Sequence, residues 1–149
     1  VLLILVAFLF IFKSYINANA VGGSVDFPQF YYLSKDFWAG KDIFSTYPEK
    51  KGVPMWNHIF YIIFYPFTLS PIETSKILWF FSNVIFASII IILLKRAYNL
   101  SLNKSLILGL LTVSSTPFTN TLGNGQLSLF ILMSLIFYWF SKSKIKIFF

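Results

Sequence analysis

The chain has 149 residues, of which 57% are hydrophobic and only 11% are charged, and its formal net charge is +7. Soluble domains carry about 25% charged residues, so this chain has too little polar surface to cover a water-facing globule. The absence of cysteine excludes disulfides and thiolate metal sites. The basic residues flank apolar runs and form no stripe on a polar domain, which argues against a nucleic-acid partner. The composition therefore predicts an all-α integral membrane protein in contact with membrane lipid.

Five uncharged apolar segments follow one another along the chain and are the candidate membrane spans. A helix needs about 20 residues to cross about 30 Å of hydrocarbon, and only the third segment almost reaches that length alone. The second is short and contains a proline, so it is a tilted span, a re-entrant segment or an interfacial helix. The pattern predicts a polytopic, multi-pass fragment, truncated at both ends, with residues 1–149 forming a single transmembrane region. The segments are 1–12, 59–69, 77–94, 106–118 and 127–140.

A polar loop, residues 13–57, separates the first two segments and is the only part with the chemistry of a water-exposed site. It contains every aspartate of the chain. Asp26 followed by Pro28 and Gln29 predicts the start of a short helix, with a capping box between the acid and the glutamine. Gly40 is a natural stop. Aromatic residues recur on one face between these signals, so we expect an interfacial helix over 27–39 that lies on the membrane surface.

The distribution of lysine and arginine predicts the orientation in the membrane. The loop after the third segment and the tail after the fifth are basic, whereas the hairpin loop predicted over Thr119–Gln126 has no charge, so the positive-inside rule places this loop outside. The loop 13–57 is ambiguous. Its five lysines favour the cytoplasm, which requires segment 59–69 to cross, whereas the short length of that segment favours a loop that stays outside. The basic residues after the third and fifth segments are Lys95, Arg96, Lys104, Lys142, Lys144 and Lys146.

The candidate chemical groups lie outside the apolar segments, and each has a structural alternative. Asp26 either caps the helix or acts as a general base, because a carboxylate near an apolar surface has a raised proton affinity. Asn124 and Gln126 flank Gly125 in a turn sequence, and an uncharged polar cluster also suits a hydroxyl-rich ligand. His58, the only histidine, is an interfacial residue or a contact to a phosphate or proton donor. The lack of ionisable residues within the segments argues against a secondary transporter.

Two runs of the polar loop, Gly23–Tyr32 and Trp38–Phe44, resemble the first external loop of glycosyltransferase family 87. That loop has an acid, a tyrosine-containing helix and then Gly-x-Asp-x-aromatic. The later part of the chain is similar to the rest of the family pattern, with a proline-rich start, a proline in an apolar run, Leu-Trp, and a Pro…Gly-Gln-x-Asn-Leu segment. This chain departs from the pattern at two positions, where it has Met55 after Pro54 and Ser128 in place of asparagine. The matching positions are Val53–Asn57, Pro66, Leu78, Trp79, Pro117 and Gly123–Leu129.

The resemblance implies a GT-C-like fold and an α-mannosyltransferase-like enzyme of the plasma or inner membrane, with 13–57 as its extracytoplasmic catalytic loop. Such an enzyme transfers a hexose from a polyprenyl-phosphate donor to a glycan or glycolipid acceptor, and this fragment is expected to be inactive alone. The resemblance implies no certain cofactor, leaves a divalent metal open, and makes Asp26 the catalytic base. The alternative is a non-catalytic membrane protein or a transporter fragment. The substrate-binding residues implied are Tyr31, Lys35, Lys41, Asp42, His58, Asn124 and Gln126.

Overall fold

The described part of the computed structural model, residues 2–20, 26–43 and 59–142, consists of helices and their connections. Within those ranges there is no strand, so the prediction of an all-α chain is confirmed for them. The helices in chain order are α1 (Leu2–Asn19), α2 (Phe27–Trp38), α3 (Ile59–Thr68), α4 (Ile72–Ala97), α5 (Leu102–Ser114), α6 (Thr116–Asn124) and α7 (Ser128–Lys142).

Helix α4 is the central element and includes the whole apolar segment 77–94. It begins after Pro71, carries Glu73 in its first turn and ends with Lys95 and Arg96 in its last, charges that complement the helix dipole at both ends. Its 26 residues extend for about 39 Å. Among the described residues it is the one single helix long and apolar enough to cross a membrane, and α6 with α7 pass the same test if they form one span bent by 114°. Helices α3 and α5 are shorter.

Helix α1 runs antiparallel to α4. The ring of Tyr15, near the end of α1, lies 5.3 Å from that of Phe80, near the start of α4. At the other end of the pair, Ala7 and Ile91 line one cavity. The end of α1 and the start of α4 therefore lie at the same end of the molecule, and because Asp26 also lies there we name it the Asp26 end.

Helix α7 runs parallel to α4. The rings of Phe86 and Phe130 lie 5.7 Å apart, and further along Leu94 and Ile136 line one cavity. Both helices therefore end together, opposite the Asp26 end. We name that opposite end, which carries Lys95 and Arg96, the basic end.

Helices α2 and α3 pack against each other at the Asp26 end. Phe27, Phe30 and Phe64 are at most 3% exposed and form one apolar cluster with Trp79 of α4. The Ser34 hydroxyl donates to the Tyr61 carbonyl at 2.7 Å, deep in the contact. Most of the aromatic face of α2, predicted to lie on the membrane surface, is thus buried against α3 within the protein.

The capping box predicted at the start of α2 is wrong. Asp26 occupies the N-cap position, but its backbone is already helical (φ −83°, ψ −31°) and its side chain accepts no capping hydrogen bond. Its backbone N–H instead donates to the carbonyl of Asn124 at 3.0 Å. A tertiary contact fixes the backbone of Asp26, and the carboxylate is left with no capping role.

The hairpin loop predicted over Thr119–Gln126 is also wrong for most of its length, because α6 continues to Asn124. Pro117 lacks a backbone N–H and interrupts the helical ladder, which divides the apolar segment 106–118 between α5 and α6. Ser115 closes the break, since its side chain accepts a hydrogen bond from the N–H of Phe118 at 3.4 Å. A proline in the first turn and a serine cap are favourable signals for a new helix.

Large apolar side chains are exposed along α1, α4 and α7. Phe8, Ile85, Leu135 and Trp139 are each between 56% and 71% exposed. Soluble monomers rarely expose extended apolar surface of this kind, which marks contact with lipid or another protein.

Candidate active site

A glycine turn between α6 and α7 forms the base of the candidate site. Gly125 has φ +71°, a left-handed conformation that glycine adopts without steric cost, and the chain bends there by 114°. The turn is fixed from two directions. The indole N–H of Trp79 donates to the Gly125 carbonyl at 3.0 Å, and the N–H of Gln126 donates to the Thr121 carbonyl at 3.0 Å.

The start of α2 docks directly on this turn. Phe27 is fully buried, and a Cβ atom placed on Gly125 would lie only 2.7 Å from the Cβ of Phe27. That distance is too short for two carbons, so the close approach requires glycine at position 125. Together with the bond from Asp26 to Asn124, this contact joins two parts of the chain that are about 100 residues apart.

An open cavity of about 300 Å³ lies where α2 meets the start of α7. One part of its wall is polar, with the half-buried Asp26 and Gln126 and the exposed Gln29 and Ser128. The remainder is apolar. Carboxylate, amide and hydroxyl groups suit a ligand rich in hydroxyls, and the apolar part suits a hydrocarbon chain beside it. The apolar lining residues are Phe30, Leu127 and Ile131.

Of the predicted site residues, the structure brings Asp26 and Gln126 to one cavity, with Asn124 beside them. The side-chain oxygen Oε1 of Gln126 lies 3.5 Å from the hydroxyl of Thr121, which itself donates to the Pro117 carbonyl at 2.8 Å. Asn124 contributes its backbone carbonyl to the bond with Asp26.

Among the described residues, the other predicted binding residues do not line this cavity. Tyr31 is buried and its hydroxyl donates to the Ser70 carbonyl at 2.8 Å. Lys35 is about 14 Å from Asp26 along the helix, with its Nζ 5.9 Å from the centre of the Tyr31 ring. Lys41 pairs with Asp36 at 2.7 Å. Asp42 is exposed beyond the end of α2, and His58 lies outside the described residues.

Three residues at the site were not predicted as functional. The capping-box pattern predicts only a structural role for Gln29. Its spacing of three from Asp26 also places both residues on one helix face, and this spacing could have predicted that they share a site. Ser128 lines the cavity at the position where the family pattern has asparagine. Trp79 holds the turn through a bond across 46 residues, which no local pattern reveals. The described ranges contain no group of three or more metal-binding side chains.

Residues 58–145, more than half of the chain, match the sequence profile of glycosyltransferase family 87. The matched region runs from α3 to α7 and so includes Trp79, Gly125, Gln126 and Ser128, whereas Asp26 precedes it. No curated protein and no solved structure matches the chain.

Proposed function

The chain belongs to glycosyltransferase family 87, a family of membrane glycosyltransferases, and from this premise we propose its reaction. The enzyme transfers a mannose-like hexose from a polyprenyl phosphate to a glycan or glycolipid acceptor on the extracytoplasmic face. The observation that supports the proposal is the cavity where Asp26 of the polar loop meets Gln126 and Ser128 of the matched region. A carboxylate beside groups suited to a sugar, next to an apolar wall, fits a lipid-linked sugar donor.

In the proposed mechanism Asp26 is the general base. Its carboxylate accepts the proton of an acceptor hydroxyl while that oxygen attacks the anomeric carbon. The bond between this carbon and the phosphate oxygen breaks, and its electron pair leaves with the polyprenyl phosphate, so the configuration at the anomeric carbon inverts. Gln29, Gln126 and Ser128 hydrogen-bond the sugar hydroxyls. The first backbone N–H groups of α7, which begin at the cavity wall, face the departing phosphate.

We also propose a multi-pass arrangement in which the Asp26 end is extracytoplasmic and the basic end is cytoplasmic. Along α4, Trp79 at the site and Arg96 at the basic end are separated by about 26 Å, close to the thickness of the hydrocarbon core. The basic residues at the end of α4 and beyond it then obey the positive-inside rule, whereas the five lysines of loop 13–57 are on the side that the rule disfavours. Because α1 ends and α4 begins at the same end, α3 lies beside the membrane surface at that end and does not cross.

Single cysteines on either side of α3 test this topology, because the chain has no native cysteine. Ala39→Cys lies before α3, Thr74→Cys lies after it, and Asn103→Cys lies at the basic end; all three positions are exposed. We expect the first two to react with an impermeant maleimide in intact cells and the third to react only after permeabilisation.

Opposite accessibility of Ala39→Cys and Thr74→Cys would show that α3 crosses and that the proposed arrangement is wrong. Reaction of all three in intact cells would instead show that the basic end is not cytoplasmic. The protein without introduced cysteine is the control for non-specific labelling.

Transfer of a labelled hexose from a synthetic polyprenyl phosphate to a lipid or glycan fraction tests the reaction itself. We expect the complete protein in membranes to catalyse this transfer and not to use the same hexose linked to a nucleotide diphosphate. A nucleotide-sugar preference would refute the proposed donor, and the absence of transfer from any donor would favour the non-catalytic alternative.

A further inference from the structure

A second cavity, far from the candidate active site, lies between α1, α4 and α5 towards the basic end. Its volume is about 300 Å³, and we name it the slot. It is lined by Ala7 of α1, by Ile91 and Ile92 of α4, and by Leu106 and Gly109 of α5. Along α4, Ile91 is about 18 Å from Trp79, so the slot is separate from the cavity at Asp26.

The wall of the slot is apolar in its chemistry. Its two hydroxyls are already bonded within their own helices, since Ser88 donates to the Val84 carbonyl at 2.9 Å and Ser105 to the Ser101 carbonyl at 3.0 Å. The missing side chain of Gly109 leaves room, because a Cβ there would approach only Ile91, at an ordinary 3.5 Å. A hydrocarbon chain is the ligand that such a wall accommodates.

Two cations stand one helical turn beyond the slot. Lys95 and Arg96 follow Ile91 and Ile92 by four residues, which places each cation on the same helix face as a slot residue. Arg96 is exposed and Lys95 half-buried. In the described ranges the ion pairs join Asp36 to Lys41 and Glu73 to Lys76, so the charges of the two cations are not neutralised there.

We propose that the slot binds an acyl chain of an anionic phospholipid from the cytoplasmic leaflet, whose phosphate is bound by Lys95 and Arg96. The complementary charge selects this occupant, because a purely apolar partner would leave both cations unmatched. A long basic side chain at the end of a membrane helix extends its charge to the headgroup level. The inference rests on the membrane orientation proposed above and is independent of sugar transfer.

Native mass spectrometry of the complete protein, extracted from nanodiscs of phosphatidylcholine with or without phosphatidylglycerol, tests the proposal. We expect retention of phosphatidylglycerol in preference to phosphatidylcholine. Each cation near an anionic headgroup strengthens binding about fivefold, so Lys95→Gln should weaken retention of phosphatidylglycerol about fivefold and the double variant with Arg96→Gln about 25-fold. Lys76→Gln, which removes a cation at the Asp26 end, is the matched control and should change nothing.

Filling the slot tests the hydrocarbon part of the proposal. Gly109→Leu should reduce retention of phosphatidylglycerol, while Gly109→Ala, which makes only an ordinary contact, shows that the helix tolerates a side chain. If Gly109→Leu fails to fold, Ser88→Leu fills the slot from α4.

Equal retention of phosphatidylglycerol and phosphatidylcholine overturns the proposal. Retention of phosphatidylglycerol that is changed by neither Gly109→Leu nor Ser88→Leu also overturns it. A shift between monomer and dimer without loss of lipid would identify the slot as a contact between copies and would also overturn it. Sugar transfer is not measured, so an inactive protein can still give the expected lipid result.

Discussion

Replacing Asp26 with asparagine is expected to lower kcat for sugar transfer by about 10²–10⁴-fold, the usual contribution of a general base. Asparagine has nearly the same shape but cannot accept the proton of the acceptor hydroxyl. This substitution should change the chemistry of the side chain without disturbing the fold. The Asp26 carboxylate makes no capping bond, and the bond that fixes its position comes from the backbone N–H, which asparagine keeps. Single-turnover transfer and thermal unfolding of the purified variant measure activity and stability separately.

Asp36→Asn is the matched control for this experiment, because it makes the same change on the same helix. Asp36 pairs with Lys41 at the surface, an interaction that contributes at most about 1 kcal/mol. We expect this variant to transfer sugar at the unmodified rate. If Asp26→Asn is as active as Asp36→Asn, Asp26 is not the base, and its contribution is limited to its place in the fold.

Replacing Gly125 with alanine is expected to destabilise the protein by about 2–5 kcal/mol. A left-handed backbone costs an L-residue about 1–2 kcal/mol, and forcing a methyl group into a filled space costs about 1–3 kcal/mol more. The new Cβ would lie 2.7 Å from the Cβ of Phe27, so α2 must move away from the turn. Because Asp26 precedes Phe27, we also expect sugar transfer to fall, together with the unfolding temperature in detergent.

Gly40→Ala separates the two contributions. Gly40 has nearly the same backbone conformation, φ +72°, but no atom lies within 4 Å of the position of an added Cβ. The Gly40→Ala substitution should therefore destabilise the protein only by the backbone strain, about 1–2 kcal/mol, and should leave sugar transfer unchanged. Equal destabilisation by the two variants would show that the contact between Gly125 and Phe27 is not tight. A methyl group at position 125 would then not be expected to displace α2.

Local signals in the sequence predicted much of α2 and the turn at Gly125, against which α2 packs. Pro28 in the first turn and Gly40 at the end fix the bounds of the helix, because each acts through the conformation of its own residue. The same reasoning placed a turn at Gly125. The predicted capping box does not form, because a distant group determines the conformation there: the backbone N–H of Asp26 bonds to the Asn124 carbonyl.

The candidate site was predictable only in part for the same reason. The family resemblance connected Asp26 with Gln126, and the structure brings both to one cavity. The resemblance implies that Lys35 and Lys41 bind substrate, but α2 separates both of them from Asp26 along its axis. Gln29 and Ser128 are small polar residues whose relevance depends on which face they present, and this follows from packing, not from residue type.

The bond between Asp26 and Asn124 also has a consequence for biosynthesis. Ribosomes add about 5–20 residues per second, so roughly 5–20 s separate the synthesis of Asp26 from that of its partner about 100 residues later. Helices α2 to α5 are synthesised during that interval, while the start of α2 lacks the turn against which it docks. A protease added to stalled nascent chains should therefore cut near Asp26 until Gly125 has emerged from the ribosome and inserted, and protection should begin only then.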